Sequence, residues 1–307
     1  MKAITAAILI MILSLTPLGS VATADRTEAD RPSIGLALGS GGAGGLAHIA
    51  MLQVFDEIGV EIDMIAGTSI GAVIGVLYAA GLSADEVYDV FDDFGGSNLD
   101  ALSRMVSPNA ELSLTNLLRI GLSDGGLIDA GGFIDFIKSK VEARTFEELA
   151  IPLKVVATDY WTGDMIVLTS GDLFLAIKAS MAVPALFSPV KLDDALLIDG
   201  GTSNPLPYDL LTDDCDLVVA VDVSGSRKRT NGKQPALTEM LFSTFEIMQQ
   251  SIVTSRRRSG DADIYIKPDT DEIRLLHFNR IEEILEKAQP AADELRQALV
   301  DHLGLES

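Results

Sequence analysis

The sequence predicts an α/β fold, a three-layer α/β/α sandwich on a mostly parallel sheet. Short apolar runs alternate along the chain with longer helical stretches, and several runs are apolar at consecutive positions. Strands covered on both faces have this continuous apolar character, whereas half-exposed strands alternate. Regular alternation of strands and helices places helices on both faces of a parallel sheet. With 307 residues, 48% of them hydrophobic, the chain is long enough to bury a substantial core.

The apolar runs predicted as strands are Ile34–Leu38, Met64–Ala66, Leu153–Thr158, Ile166–Leu168, Leu196–Ile198, Leu217–Val221 and Ile264–Ile266. The stretches predicted as helices are Ala47–Glu57, Ile70–Ala80, Ala84–Asp93, Gly132–Val141, Ala176–Met181, Leu237–Val253 and Arg280–His302. Residues 98–129 are polar, contain glycine and interrupt the alternation. We expect them to form a cap or loop over one end of the sheet.

The first residues have the pattern of an export signal. Lys2 precedes an apolar run over Ala3–Leu15, and Ala22 and Ala24 supply the small residues of a cleavage site. The run is shorter than the roughly 20 residues that a membrane-spanning helix needs. The sequence therefore predicts a signal peptide over residues 1–24, cleavage near Ala24, and a periplasmic or secreted mature protein.

The charge of the chain excludes one class of partner. The formal net charge is −22 and the isoelectric point is about 4.3. Nucleic acid phosphates and anionic surfaces would be repelled, so we expect no nucleic-acid partner. The single cysteine, Cys215, has no second cysteine with which to form an internal disulfide, so core packing must hold the fold.

A serine motif follows the second predicted strand. Gly67, Ser69 and Gly71 match G-x-S-x-G, in which a nucleophilic serine lies on a sharp turn between a strand and a helix. Glycines flank the serine because the turn is strained and neighbouring chain passes close by. A second match, centred on Ser123, lacks a preceding strand and is interpreted as an ordinary loop turn.

A glycine-rich loop follows the first predicted strand and precedes a helix. Its backbone N–H groups suit an anion or a developing oxyanion. The spacing of Gly39, Gly41 and Gly44 also matches the dinucleotide fingerprint G-x-G-x-x-G, which requires an acidic residue about 20 positions later at the end of the next strand. Glu61 and Asp63 precede that strand's apolar core. The spacing therefore favours the oxyanion role, and a nucleotide-binding module is the alternative.

A base is needed to activate the serine, and the sequence offers two kinds of candidate. His277 and His302 lie outside glycine-rich or turn-forming settings, and His48 lies within the helix after the glycine loop, which indicates structural or surface roles for all three. The better candidate is Asp199, because it ends an apolar strand and two glycines follow it. In parallel sheets such strand ends gather ligands, so the carboxylate is expected there.

Gly200 and Gly201 complete a D-G-G motif with Asp199 and let another backbone segment approach. A second D-G-G, beginning at Asp124, lacks a strand and is interpreted as a turn. Taken in order, the glycine loop, the G-x-S-x-G motif and the D-G-G motif resemble the patatin-like phospholipases, and the bacterial proteins related to neuropathy target esterase most of all. The resemblance covers roughly residues 34–223 and includes the stretches 179–190 and 204–207.

This resemblance implies hydrolysis of acyl esters in phospholipids or lysophospholipids, with no cofactor and no catalytic metal. It implies a Ser-Asp dyad in which Ser69 is the nucleophile and Asp199 is the general base. It also assigns the oxyanion hole to the amides of Gly41, Gly42 and Ala43. Because the chain is strongly acidic, we expect any membrane contact to be transient and to use local apolar surface.

One position departs from the family pattern. Gly44 stands where these proteins usually carry Arg or Lys, so a cation beside the oxyanion loop is missing. By the resemblance, residues 34–223 form the catalytic domain, and residues 224–307 add a strand and helices that pack on the same domain. The alternative to a serine lipid-acyl hydrolase is a non-catalytic or nucleotide-binding module on the same scaffold.

Overall fold

The computed structural model describes residues 31–97, 130–225, 237–260 and 262–305. The predicted signal peptide over residues 1–24 and the predicted cap over residues 98–129 lie outside these ranges, as do Ser123 and Asp124. These predictions stay predictions.

The strands are β1 (Ile34–Leu38), β2 (Met64–Thr68), β3 (Leu153–Asp159), β4 (Met165–Leu168), β5 (Val190–Leu192), β6 (Ala195–Asp199), β7 (Leu217–Val221) and β8 (Ile264–Ile266). The helices are α1 (Ala47–Ile58), α2 (Ile70–Ala79), α3 (Ala84–Ser97), α4 (Gly131–Lys138), α5 (Leu173–Ser180), α6 (Leu237–Arg257) and α7 (Ile281–Leu303). The sequence did not predict β5, which is only three residues long and carries an exposed lysine at its centre.

All eight strands belong to one mixed sheet. Strands β8, β7, β1, β2 and β3 are adjacent in that order and parallel. Strands β4 and β6 both pair with β3 in the antiparallel sense, and β5 pairs antiparallel with β6. The predicted α/β sandwich is confirmed, and its parallel part carries an antiparallel extension at β3.

Strands β2 and β6 approach the same edge of β3 from opposite directions. The carbonyl of Pro152 accepts a hydrogen bond from the N–H of Ile65 in β2, and the N–H of Tyr160 donates to the carbonyl of Leu196 in β6. Every second residue of a strand directs its backbone groups to the same edge. Positions 152 and 160 therefore mark one edge, and β2 and β6 end against each other beside Val156.

The sheet is buried on both faces. In β1, Leu36 and Leu38 belong to the large core cluster formed with α1, α2 and α7, whereas Ala37 points to the other face. On that second face Ala37 packs in a smaller cluster with Ala66, Ala220 and Val253 of α6. Because both faces are covered, the central strands are apolar at consecutive positions.

The C-terminal residues contribute to the same layers. Strand β8 pairs with β7 at one side of the parallel part, and α7 packs against α1. Among the described residues, no helix combines the length and the apolarity needed to cross a membrane.

Candidate active site

Ser69 lies at a sharp turn between β2 and α2. Its backbone has φ 56° and ψ −121°, a region that non-glycine residues rarely adopt. Such conformations persist only where the surrounding structure enforces them, and they concentrate at functional sites. The residue is only 6% exposed and lines a cavity. The predicted serine elbow is therefore present in the structure.

The glycines that flank Ser69 are required by close packing. A Cβ atom at Gly71 would lie 2.1 Å from the carbonyl oxygen of Leu38, and one at Gly67 would lie 2.7 Å from the Cα of Ala72. Both distances are far shorter than van der Waals contact. The first turn of α2 can therefore approach the end of β1 only if the motif positions are glycine.

Asp199 ends β6 directly opposite the end of β2. Thr68, which directly precedes Ser69, pairs with Val156 of β3, and Asp199 pairs with the next residue, Ala157. The end of β2 and the end of β6 therefore lie next to each other. The parallel direction expected for this strand is wrong, because β6 pairs antiparallel with β3. The carboxylate reaches the carboxyl-terminal edge of the parallel strands because β6 runs toward that edge from the opposite side.

Gly200 makes this close meeting of strands sterically feasible. A Cβ atom at this position would lie 2.1 Å from the carbonyl oxygen of Val156. The next residue, Gly201, donates its backbone N–H to Oδ1 of Asp199 at 2.7 Å. The D-G-G motif thus lets the chain pass close to the backbone of β3 at Val156, and its second glycine holds one oxygen of the Asp199 carboxylate.

The Asp199 carboxyl is fully buried. Burial raises its pKa to about 7, and the Ser69 hydroxyl and the Gly201 N–H oppose this rise by stabilising the ionised form. The other oxygen, Oδ2, has no hydrogen-bond partner of ordinary geometry among the described residues. The carboxyl therefore titrates near neutrality beside Ser69 and keeps one oxygen available to accept a proton.

The glycine loop is anchored at its start by backbone hydrogen bonds. The N–H of Gly39 donates to Val221 at 3.1 Å, and the N–H of Ser40 donates to Pro205 at 2.8 Å. Nε2 of His48 lies 2.9 Å from the carbonyl oxygen of Gly39. These contacts connect the loop to β7, to the segment after the D-G-G motif and to α1.

Two of the three predicted oxyanion donors are available. The N–H groups of Gly41 and Gly42 donate no hydrogen bond within the part of the chain that the structure describes, and Gly42 lines the cavity that contains Ser69. The N–H of Ala43 instead donates to the carbonyl of Leu275 at 2.9 Å. In this structure Ala43 therefore positions the loop, and only Gly41 and Gly42 offer donors.

Gly44 is buried beneath the segment that follows β8. A Cβ atom at Gly44 would lie 3.2 Å from Cβ of Thr270 and 3.3 Å from the carbonyl oxygen of Val223. The hydroxyl of Thr270 in turn donates to Val223 at 3.2 Å. Backbone and the Thr270 side chain therefore fill the space beside Gly44, where the family resemblance leads us to expect a basic residue.

The histidines take structural positions. His48 is completely buried, and this burial lowers its pKa to about 4, which keeps the ring neutral. His277 accepts the backbone N–H of Arg274, and His302 hydrogen-bonds to the carbonyl of Ala298 near the end of α7. Among the described residues, no histidine forms a hydrogen bond with Ser69 or Asp199.

The acidic residue required by the nucleotide alternative lies at the wrong end of the sheet. Oδ2 of Asp63 accepts the backbone N–H of Ile34 at 2.7 Å, at the start of β1, whereas the glycine loop follows the end of that strand. Within the described ranges, no group of three or more His, Cys, Asp or Glu side chains is arranged to hold a metal ion.

Ser69 opens into an apolar cavity of about 390 Å³. One part of its wall is aromatic, and there Phe94 contacts both Phe133 and Phe136 with ring centroids 4.9 and 5.0 Å apart. Other apolar residues of the wall come from α2, from the segment after α5 and from the segment before α7: Ile70, Val73, Met181, Val183, Leu186, Phe187, Leu275, Leu276 and Phe278. Such a cavity suits an apolar ligand group held against the serine.

Two polar residues near the site were not identified from the sequence. The hydroxyl of Ser180 accepts the backbone N–H of Ser69 and donates to Val156. Gln249 of α6 is 3% exposed and donates through Nε2 to the hydroxyl of Ser40 at 3.0 Å. In the sequence, Gln249 is a neutral amide within a predicted helix, and this alone does not indicate a contact. Its partner, Ser40, is evident only from the tertiary structure.

The fold and the turn at Ser69 define an α/β protein of the class that carries a serine on a strand-to-helix elbow. The family model described as patatin-like phospholipase matches residues 36–212, so the chain belongs to the patatin-like phospholipase family. Its fold is therefore that of lipid hydrolases.

Individual relatives agree with this assignment. An uncharacterised NTE family protein of Mycobacterium tuberculosis is 36% identical over 196 residues, which cover 64% of this chain and 50% of that protein. The patatin-like phospholipase domain-containing protein 7 of Rattus norvegicus is 27% identical over 280 residues, covering 83% of this chain and 20% of that protein. The chain thus spans half or less of these relatives. Among solved structures, VipD from Legionella pneumophila aligns with a TM-score of 0.48 and 14% identity over 87% of this chain and 69% of that chain.

Proposed function

We propose that the chain is a serine lipid-acyl hydrolase that cleaves phospholipid, lysophospholipid or other carboxylic esters with Ser69 and Asp199 as a catalytic dyad. The observation that carries this proposal is the pairing of a strained serine elbow with a fully buried carboxyl whose pKa is about 7. Ser69 lines an apolar cavity, which supports an acyl substrate.

In the first step Oδ2 of Asp199 accepts the hydroxyl proton of Ser69 as Oγ attacks the carbonyl carbon of the ester. The carbonyl π electrons move to oxygen, and the N–H groups of Gly41 and Gly42 stabilise the resulting oxyanion. When the tetrahedral intermediate collapses, the ester bond breaks and the leaving alkoxide takes the proton from Asp199. An acyl group is then bound to Ser69.

In the second step Asp199 accepts a proton from water, and the hydroxide formed attacks the acyl carbonyl. Collapse of this second intermediate releases the carboxylic acid and returns the proton to Ser69. An ordinary aspartate, with a reference pKa of about 3.9, is a weak base for this work. Burial raises the pKa of Asp199 toward neutrality, where a general base is most effective.

A fluorophosphonate probe tests the nucleophile directly. We expect covalent labelling of the wild type at Ser69 and hydrolysis of a short p-nitrophenyl ester. Ser69→Ala should lose both while keeping its melting temperature. Ser123→Ala, in the second G-x-S-x-G match, is the control and should behave as wild type. A folded wild-type protein that is neither labelled nor active would favour the non-catalytic alternative.

The dyad is tested by replacing the two kinds of candidate base, the Asp199 carboxylate and the histidines, in separate variants. Asp199→Asn keeps the shape of the side chain, removes the base and should abolish ester hydrolysis. A variant with His48, His277 and His302 replaced by Gln should keep most of its activity, since a histidine triad depends on imidazole and a dyad does not. An inactive but folded histidine variant beside an active Asp199→Asn protein would overturn the proposed mechanism.

A further inference from the structure

From Met240 to Ser255, the exposed residues of α6 are apolar or hydroxyl-bearing, and none of them is charged. Four large side chains on this helix, Met240, Leu241, Ile247 and Met248, are 50 to 60% exposed. Thr244, Ser251, Thr254 and Ser255 are the other exposed residues of α6 from Met240 onward, and they follow the same face toward its C-terminal end. The outward face of a surface helix is ordinarily polar or charged. In the described parts of the chain, no other helix exposes more than one such side chain at 36% or above.

The opposite face of α6 packs against the body of the protein. Val253 is 3% exposed and belongs to the core cluster on the second face of the sheet. Gln249, one turn earlier, is equally buried and reaches the hydroxyl of Ser40 in the glycine loop. The helix is therefore held in place by its inward face, and its apolar outward face has no role in the core.

We propose that this face, Met240, Leu241, Thr244, Ile247, Met248 and Ser251, docks the protein onto a zwitterionic lipid surface. The inference rests on the proposed lipid substrate. A helix that lies in a membrane interface buries its apolar side chains among the acyl chains, and an uncharged face makes this possible without desolvating ions. The chain's net charge of −22 disfavours an anionic surface and favours a neutral one.

A second copy of the chain fits this face less well than a lipid surface does. The partner would carry the same charge of −22, so the two copies would repel each other. Four half-exposed side chains form a patch on the order of a few hundred Å². A stable protein–protein interface buries roughly 800 Å² on each partner.

The docking surface is connected to the site through a short path. Gln249 on the inward face of α6 contacts Ser40, and the next residue, Gly41, carries an available N–H group. A lipid surface bound to α6 therefore lies against the helix that positions the start of the glycine loop. Arg258, exposed directly after the last residue of α6, suits contact with the phosphate of a zwitterionic headgroup.

Flotation with phosphatidylcholine vesicles tests the docking surface without catalysis. The full chain carrying Ser69→Ala should float with the vesicles. Addition of Ile247→Glu and Met248→Glu should reduce the vesicle-bound fraction by roughly tenfold or more, because several buried CH₂ groups are lost and charge is introduced. Leu305→Glu, which changes an exposed leucine outside α6, is the matched control and should float as before.

Comparing hydrolysis of a soluble ester with hydrolysis of lipid in vesicles distinguishes a failure of lipid docking from a failure of catalysis. In the active background, Ile247→Glu with Met248→Glu should leave hydrolysis of a soluble p-nitrophenyl ester unchanged and slow hydrolysis in vesicles. Equal flotation with and without the α6 changes would overturn lipid docking, as would a wild-type dimer that these changes convert to a monomer in sedimentation. An inactive wild type would contradict the catalytic proposal alone, since flotation uses the Ser69→Ala chain.

Discussion

The hydroxyl of Ser180 accepts a hydrogen bond from the backbone N–H of Ser69 at 2.9 Å. The same hydroxyl donates to the carbonyl of Val156 at 2.6 Å. Val156 lies where β2 and β6 end against each other, so neither strand supplies a partner for its carbonyl. A side chain from the end of α5 thus completes the hydrogen bonding of the sheet and holds the serine turn.

Ser180→Ala should therefore affect both stability and catalysis. The substitution leaves a buried N–H and a buried carbonyl without partners, and we expect a loss of about 1–3 kcal/mol in the free energy of unfolding. The turn at Ser69 should relax, so kcat should fall more than KM changes. Urea unfolding and steady-state kinetics measure these effects. Ser139→Ala, whose hydroxyl bonds the carbonyl of Phe136 at the surface, should change neither.

The pH dependence of kcat/KM should report Asp199. Since burial raises the pKa of its carboxyl to about 7, the base is protonated and inactive well below that pH and ionised above it. We expect kcat/KM for a neutral, soluble ester to rise with pH through about 7 and then to level off. A profile that is already flat from pH 5 upward would contradict the assignment of this carboxyl as the base.

The same buried carboxyl should lower the stability of the folded protein at neutral pH. Its pKa is higher when folded than when unfolded, so its stabilising contribution is complete below about pH 4 and is lost as the pH rises through about 7. Asp199→Asn should remove this dependence and keep the acceptor for Gly201. The variant should exceed wild type by on the order of a few kcal/mol at pH 8, and by much less near pH 4. Urea unfolding at both pH values measures the difference, with the exposed Asp213→Asn as control.

Gly44→Arg should destabilise the protein. The new side chain must leave a buried position where Cβ alone meets Thr270 at 3.2 Å, and forced repacking of this kind costs about 1–3 kcal/mol. Combining it with Thr270→Gly should recover part of the loss by opening space beside the glycine loop. Thermal unfolding of the two single variants and the double variant measures the coupling. Additive effects would show that the two positions do not compete for space.

Export stays a sequence prediction and has its own test. Expression in a bacterial host with the native N-terminus should give a periplasmic protein whose intact mass corresponds to a chain beginning at Asp25. Ala24→Arg should block cleavage, since the position requires a small residue. Recovery of the full-length wild-type chain from the cytosol would refute the prediction.

The sequence predicted the parallel core because its strands are local apolar runs with clear ends. The elbow at Ser69 was predictable for the same reason: a strand, a G-x-S-x-G turn and a helix follow one another directly along the chain. The direction of β6 was not predictable, because strand pairing depends on contacts between residues far apart in sequence. Asp199 was identified correctly as a strand-end carboxylate, on an argument that assumed the wrong direction.

The parts of the site that come from distant segments were beyond sequence reasoning. The cavity wall includes Leu275 and Phe278, which follow Ser69 by some two hundred residues and have no pattern of their own. The engagement of the Ala43 N–H by Leu275 likewise depends on where the segment after β8 lies. Local propensity carries no information about such contacts.

The meeting of β2 and β6 on one edge of β3 makes the spacing of the proposed dyad a property of main-chain register. Thr68 and Asp199 lie opposite consecutive residues of β3, so the pairing of β2 and of β6 with β3 sets the distance between the two strand ends. A slip of one residue between β3 and β6 would move the carboxylate by about 3.3 Å and turn it to the other face of the sheet. Side-chain flexibility cannot correct such an error, because aspartate has only two rotatable bonds. Insertions or deletions in β3 should therefore be tolerated far less than changes in the loops, even though β3 itself contributes no reacting group.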